Sequence, residues 1–81
     1  MDWISLSNDY SMVDIAVPDK WIGKSLTELS VRERLGINVV GIIVNGKIDV
    51  TLDPQKPLPQ GGILIVIGAN DILEKFDSAK K

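Results

Sequence analysis

Apolar and polar residues alternate along short stretches of this chain, which predicts strands separated by turns. In the first stretch, Val13, Ile15 and Val17 occupy every second position, the period of a half-buried strand. Pro18 follows and ends the strand, because it cannot donate a backbone hydrogen bond to a sheet. The preceding residues show no clear period, so residues 1–10 are predicted to be a lead-in or linker.

The segment between Gly23 and Gly36 carries the signals of a helix. Ser25 and Glu28 have the spacing of a capping box, in which each side chain bonds the other residue's backbone amide. The apolar positions that follow do not form one stripe. A second capping box at Ser30 therefore predicts a broken helix that restarts there. Gly36 is predicted to end it.

Two apolar runs joined by Asn45-Gly46 predict a β-hairpin with a type I′ turn. Residues 37–44 are apolar at nearly every position, which predicts a central strand covered on two sides. The return strand, residues 47–52, alternates, and its apolar residues are predicted to face inward: Ile48, Val50 and Leu52.

The rest of the chain completes a small α+β domain. Residues 53–62 contain three prolines and two glycines and predict a rigid surface connection. Residues 63–67 predict a last buried strand, and Asn70 is placed to cap a final helix whose apolar residues are Ile72, Leu73 and Phe76. The order β-α-β-β-β-α over residues 11–81 predicts a four-stranded, mainly antiparallel sheet with two helices.

Composition limits the chemistry. The chain has 81 residues without cysteine or histidine, so disulfides, thiolate metal sites and the usual general base are missing. A domain of this size buries only about 60–65% of its unfolded surface, and oligomerisation or ligand binding would add stability. We expect no metal, no resident cofactor and no enzymatic activity.

The charge and hydropathy of the sequence indicate which partners and which cell compartment to expect. The formal net charge is −2 and the basic residues are scattered, which argues against nucleic acid as a partner. No apolar run reaches the ~18–20 residues of a membrane helix, so direct membrane insertion is not expected. The first residues lack the order of a signal peptide, and the expected compartment is the cytoplasm.

Several short patterns have two interpretations. Carboxylate pairs such as Asp49 with Asp53 lack a base or nucleophile beside them and are interpreted as solvated surface. Residues 23–25 resemble the end of a phosphate loop without its upstream glycines, so the start of a helix is the better interpretation. Residues 54–57 spell Pro-x-x-Pro, a possible peptide ligand, but a proline-bearing connection explains them better.

Arg32 and Arg34 are two positions apart, so on a helix only one of them can face a given pocket. One interpretation is a weak surface ion pair with Glu28 or Glu33. The other is a guanidinium offered to a phosphate, which its forked geometry suits. Spacing alone favours the ion pair.

Longer motifs resemble a known family. The runs that carry the resemblance, in order, are Gly23-Lys24-Ser25-Leu26, Val31-Arg32, Gly36-Ile37-Asn38-Val39-Val40-Gly41-Ile42 and Gly61-Gly62-Ile63-Leu64-Ile65-Val66-Ile67-Gly68. Together they are similar to the signature of the RCK_C (TrkA-C) domain, most closely that of Ktr- and Trk-type potassium transporter subunits. The resemblance implies a cytoplasmic αβ domain that forms a homodimer and regulates ion transport through a membrane potassium transporter subunit. In those proteins the domain follows a Rossmann-type domain, so this chain is expected to be a C-terminal piece of a longer protein.

The resemblance also implies a ligand. Several Ktr-type subunits bind cyclic di-AMP between two RCK_C domains, and their site residues fall on five positions of this sequence. Arg32 would meet the phosphates and Asn38 would hydrogen-bond the ligand, while Leu26, Val31 and Pro54 would form an apolar wall against the adenines. A ligand-free dimerisation module, or a sensor of another small ligand, is the alternative.

Overall fold

The computed structural model describes residues 2–79, with side chains up to Phe76. A five-stranded sheet with antiparallel pairings and the order β1-β2-β5-β3-β4 forms the fold. Its strands are β1 Trp3–Ser5, β2 Tyr10–Ala16, β3 Asn38–Val44, β4 Lys47–Asp49 and β5 Ile63–Ala69. The helices are α1 Leu26–Leu29, α2 Val31–Leu35 and α3 Asn70–Ala79, with a 3-10 turn at Asp19–Trp21. The α+β class and the mainly antiparallel sheet are confirmed.

The core lies between the sheet and the helices. Strand register aligns Val13 of β2 with Val66 of β5 and Val39 of β3, and the next row aligns Ile15 with Leu64. These rows face the helices and pack with three further buried side chains, those of Val31, Ile37 and Leu73. The predicted apolar face of the last helix is confirmed, since Ile72 and Phe76 also pack against this core.

The other side of the sheet has no helix on it and is called the open face below. Its rows alternate with the core rows and contain Ile4, Met12, Ile43, Ile48, Ile63, Ile65 and Ile67, with Val50 beside them. Ile48 is 58% exposed and Val50 is 68% exposed. The inward orientation predicted for the return strand is therefore wrong for these two residues, and β3 is covered on one face only.

The helical segment follows its local signals closely. The Ser25 Oγ accepts a hydrogen bond from the Glu28 amide at 3.1 Å, and the Glu28 carboxylate accepts one from the Ser25 amide at 2.9 Å. The predicted break is confirmed, because Ser30 is left-handed (φ 50°) and separates α1 from α2. The second capping box is wrong: the Ser30 hydroxyl donates to the Thr27 carbonyl instead. Gly36 ends α2 with φ 73°, as predicted.

The edge strand β1, Trp3–Ser5, lies within the lead-in predicted for residues 1–10, which is why the sheet has five strands and not four. Ile4 pairs with Met12 of β2, and the Asn70 amide group at the start of α3 holds the following turn by donating to the Asn8 carbonyl at 3.2 Å. The type I′ turn is confirmed by positive φ at Asn45 and Gly46. Within residues 2–79, no helix combines the length and apolar character needed to cross a bilayer.

Candidate ligand-binding groove

A surface groove lies where α1, α2 and the start of β3 meet the connection after β4. It is called the α1–α2 groove here and has a volume of about 430 Å³. Its lining residues are Leu26, Thr27, Ser30, Val31, Arg32, Glu33, Ile37, Asn38, Val39 and Pro54. All five residues that the sequence resemblance assigned to a ligand are in this set.

The apolar part of the groove is held by the core and by one backbone hydrogen bond. Val31 is 5% exposed and anchors α2, while Leu26 is half-buried against the core. Pro54 reaches the groove because the Thr27 amide donates to the Pro54 carbonyl at 2.9 Å. Residues on both sides of that bond are therefore fixed before a ligand arrives, which lowers the entropic cost of binding.

Polar groups stand on the rim of the same groove. Arg32 and Glu33 are exposed on α2, and Asn38 is exposed at the first residue of β3. By register, Asn38 is opposite Ile67 in a row of the open face. Asn38 therefore stands where the α1–α2 groove meets the open face, beside a guanidinium that can take a phosphate.

The two arginines separate as the helix geometry requires. Arg32 lines the α1–α2 groove, whereas Arg34 lies in a different depression, with Leu35 and Phe76. Among the side chains of residues 2–76, no hydrogen bond involves either guanidinium. The structure thus gives Arg32 a place beside the other predicted site residues and leaves Arg34 as its natural control.

Sequence reasoning missed half of the lining. Thr27, Ser30 and Glu33 enter the groove because α1 and α2 are joined at a left-handed serine, and Ile37 and Val39 because β3 starts beneath α2. The predicted break at Ser30 was a signal for the first three. Glu33 matters most, because its carboxylate would oppose a bound anion.

The side chains of the groove can hydrogen-bond and ion-pair with a ligand. Its polar groups are a guanidinium, a carboxylate, two hydroxyls and an amide, with no histidine or cysteine anywhere in the chain. Across the described residues, no three histidine, cysteine, aspartate or glutamate side chains gather as metal ligands do. The arrangement combines an apolar wall with one cation and one amide, which suits a planar apolar ring that carries a phosphate.

The fold is that of a small α+β domain with a groove on its surface. The family model described as the TrkA-C domain matches residues 11–81. The chain therefore belongs to the TrkA-C (RCK_C) family, which confirms the resemblance that its motifs indicated.

The curated relatives of this chain include potassium uptake proteins. The Ktr system potassium uptake protein C of Bacillus subtilis is 31% identical over 77 residues, which are 95% of this chain and 35% of that protein. The chain thus spans about a third of the length of the curated relatives it matches.

Two solved relatives contain a cyclic dinucleotide. The RCK C domain of the potassium transport protein KtrA in complex with cyclic di-AMP has 30% sequence identity and a TM-score of 0.78, over 86% of this chain and 82% of that one. The RCK_C domain dimer of Streptococcus agalactiae BusR in complex with cyclic di-AMP has 28% identity and a TM-score of 0.70, over 83% of this chain and 91% of that one.

Proposed function

We propose that this chain is a cytoplasmic sensor domain of a bacterial potassium transport system that binds cyclic di-AMP between two copies of itself. The observation that carries the proposal is the α1–α2 groove, where Arg32, Asn38 and the apolar wall meet on one surface. Relatives of high structural similarity that are complexes with cyclic di-AMP support the choice of ligand.

The open face supports the homodimer. Its isoleucines and Val50 form an apolar surface that a lone small domain would leave in water, and such surfaces mark interaction sites. A second copy packed there about a two-fold axis would cover the same residues on both chains. Because Asn38 stands at the border of this face and the groove, the same packing brings two α1–α2 grooves together.

Two-fold symmetry matches the ligand to the dimer. Cyclic di-AMP has two identical halves, so one Arg32 from each chain would meet one phosphate each, and each apolar wall would hold one adenine. The ring of the ligand is already constrained, so little freedom is lost on binding. Recognition of this kind uses binding alone, and the proposal assigns no catalytic residue.

Regulation follows from linkage. A ligand that contacts both chains shifts the dimer towards the geometry that it binds more tightly. The size of the shift is set by the difference in its affinity for the two geometries. In the longer protein, this geometry would be passed to a membrane transporter subunit. The sign of the effect, activation or inhibition, depends on which geometry the transporter requires.

Isothermal titration of the purified chain with cyclic di-AMP tests the proposal, with cyclic di-GMP as the matched control. We expect saturable binding at micromolar concentration or below, with one ligand per two chains and weaker binding of the guanine analogue. The absence of heat and of any thermal shift at ~100 μM cyclic di-AMP would refute it, since a messenger must bind more tightly than that.

A ligand-free dimerisation module is the second candidate. The open face favours it, because that surface can hold two chains together without any contribution from the groove, and Glu33 opposes an anionic ligand there. Light-scattering mass of the ligand-free chain separates the two candidates when combined with the titration. A stable dimer that ignores all cyclic dinucleotides supports this alternative.

A further inference from the structure

A second cavity lies on the helix side of the sheet, at the end away from α3. It has a volume of about 390 Å³ and is called the hairpin cavity here, because the β3–β4 hairpin forms one wall and the connection after it forms the other. Its apolar lining includes Leu26, Ile42, Val44, Leu52, Pro57, Leu58, Pro59 and Leu64. Its charged lining consists of Lys47, Asp49, Asp53 and Lys56.

The cavity forms at the end of the hydrophobic core that no helix covers. The buried Leu58 and Leu64 contribute to its lining, and Ile42 is in the same core row as Leu64. No helix covers this end of the row, since the chain leaves β4 after Asp49 and crosses as an irregular connection containing Pro57 and Pro59. The result is a preformed apolar hollow of the size that small ligands occupy.

The charges on its rim are not equally available. The Asp49 carboxylate already accepts hydrogen bonds from the amide and the hydroxyl of Thr51, both at 2.9 Å, and these bonds lower the pKa of Asp49. The Asp53 carboxylate accepts one from the Gln55 amide at 3.0 Å.

Lys47 and Lys56 differ from these carboxylates. Neither lysine makes a side-chain hydrogen bond with any residue whose side chain the structure describes, residues 2–76. The hairpin cavity thus combines an apolar interior with two ammonium groups that no side-chain hydrogen bond engages, although the charge of Lys56 also helps to lower the pKa of Asp49.

We infer that the hairpin cavity binds a small amphipathic carboxylate, whose alkyl chain enters the hollow and whose head group meets Lys47 and Lys56. The apolar interior favours the alkyl chain of the ligand, because binding removes that chain from water. Ammonium groups on the rim select an acid over an amine or an alcohol of equal length.

The cavity is also joined to the α1–α2 groove. Leu26 lines both, and the connection that carries Pro54 into the groove continues into the cavity wall. Backbone hydrogen bonds fix that connection to the start of α1: the Leu58 amide donates to the Lys24 carbonyl at 2.9 Å, and the Gly23 amide donates to the Leu58 carbonyl at 2.8 Å. Occupancy of the cavity therefore changes the affinity of the groove, and the effect is reciprocal. This coupling, unlike the binding itself, rests on the proposed function.

Amide NMR titration of the chain with octanoate, octanol and octylamine tests the binding. We expect octanoate to shift the amides of residues 47–58 saturably and to bind at least threefold more tightly than octanol, with octylamine weakest. The variant Lys47→Gln with Lys56→Gln should lose the preference of acid over alcohol, while Lys20→Gln, an exposed lysine outside the cavity, should keep it. The amide spectrum of each variant reports whether its fold is intact.

Equal affinity for the three probes, shifts centred on the open face, or no saturation at millimolar octanoate would overturn the inference. Adding cyclic di-AMP to the octanoate-saturated sample tests the coupling, with a twofold or larger change in nucleotide affinity expected. If cyclic di-AMP does not bind while octanoate still shifts residues 47–58, the proposed function fails and the cavity stands. If cyclic di-AMP binds but octanoate does not shift residues 47–58, only the inference about the cavity is refuted.

Discussion

Replacing Arg32 with glutamine removes one cation from each half of the proposed site. Each guanidinium contact to a phosphate is a charge-assisted hydrogen bond worth about 1.5–3 kcal/mol. A two-fold dimer loses two of them, so the lower value gives about 3 kcal/mol, or about a 150-fold weaker Kd. The backbone of Arg32 keeps its role, since its carbonyl still accepts from the Gly36 amide, and stability should change little.

The two neighbouring charges on the same short helix complete the test. Arg34→Gln removes the same charge from a side chain outside the groove and should leave the Kd of cyclic di-AMP within about twofold. Glu33→Gln removes a carboxylate from the groove lining and should tighten binding by about twofold to fivefold, the scale of an exposed charge contact. Titration calorimetry measures all three. A Kd for Arg32→Gln within threefold of the parent chain, or an equal loss for Arg34→Gln, would refute the assignment.

Three further substitutions test the surfaces and the fold. Val50→Asp places a carboxylate on the proposed interface and should convert the dimer to a monomer in sedimentation analysis, whereas Asn8→Asp on the exposed turn should not. An unchanged dimer would exclude the open face. Gly68→Ala puts a Cβ 3.0 Å from the Ile37 side chain and 3.4 Å from that of Leu73, so urea unfolding should show a loss of about 1–3 kcal/mol; full stability would contradict the tight packing. Ser25→Ala removes the α1 cap and should cost about 1 kcal/mol in the same assay, with no change expected if the capping box contributes nothing.

Local signals in the sequence predicted local structure well. The capping box at Ser25 and the turn at Asn45-Gly46 depend on interactions within four residues, and both formed as expected. The break at Ser30 was also predicted from a local signal, because the apolar residues before and after it do not form one helical stripe. Its hydroxyl did not cap α2 because the residue is shared between two helices and is left-handed, so its oxygen bonds backward to Thr27.

The orientation of β4 shows what alternation alone leaves open. The two-residue turn pairs Val44 with Lys47, so Ile48 must pair with Ile43 on the open face. Alternation assigns the residues of β4 to two opposite faces of the sheet. It does not say which face the helices cover, because the neighbouring strands β3 and β5 are apolar on both faces. Strand β1 was missed for another reason: three residues are too few to show a period.

The groove was predicted through the family motif and not through spacing. Helix geometry required that Arg32 and Arg34 diverge, and they do. The choice between them came from the resemblance, and so did the role of Pro54. Its place beside α1 depends on the path of a proline-bearing connection and on the bond from the Thr27 amide, which only the folded structure reveals.

Native mass spectrometry of the chain with cyclic di-AMP tests the central claim most directly, because it counts chains and ligands in one particle. The account predicts one ligand held by two chains, with that species lost in Arg32→Gln and retained in Arg34→Gln. A ligand bound to a single chain, or two ligands on each dimer, would contradict a site shared across a two-fold axis.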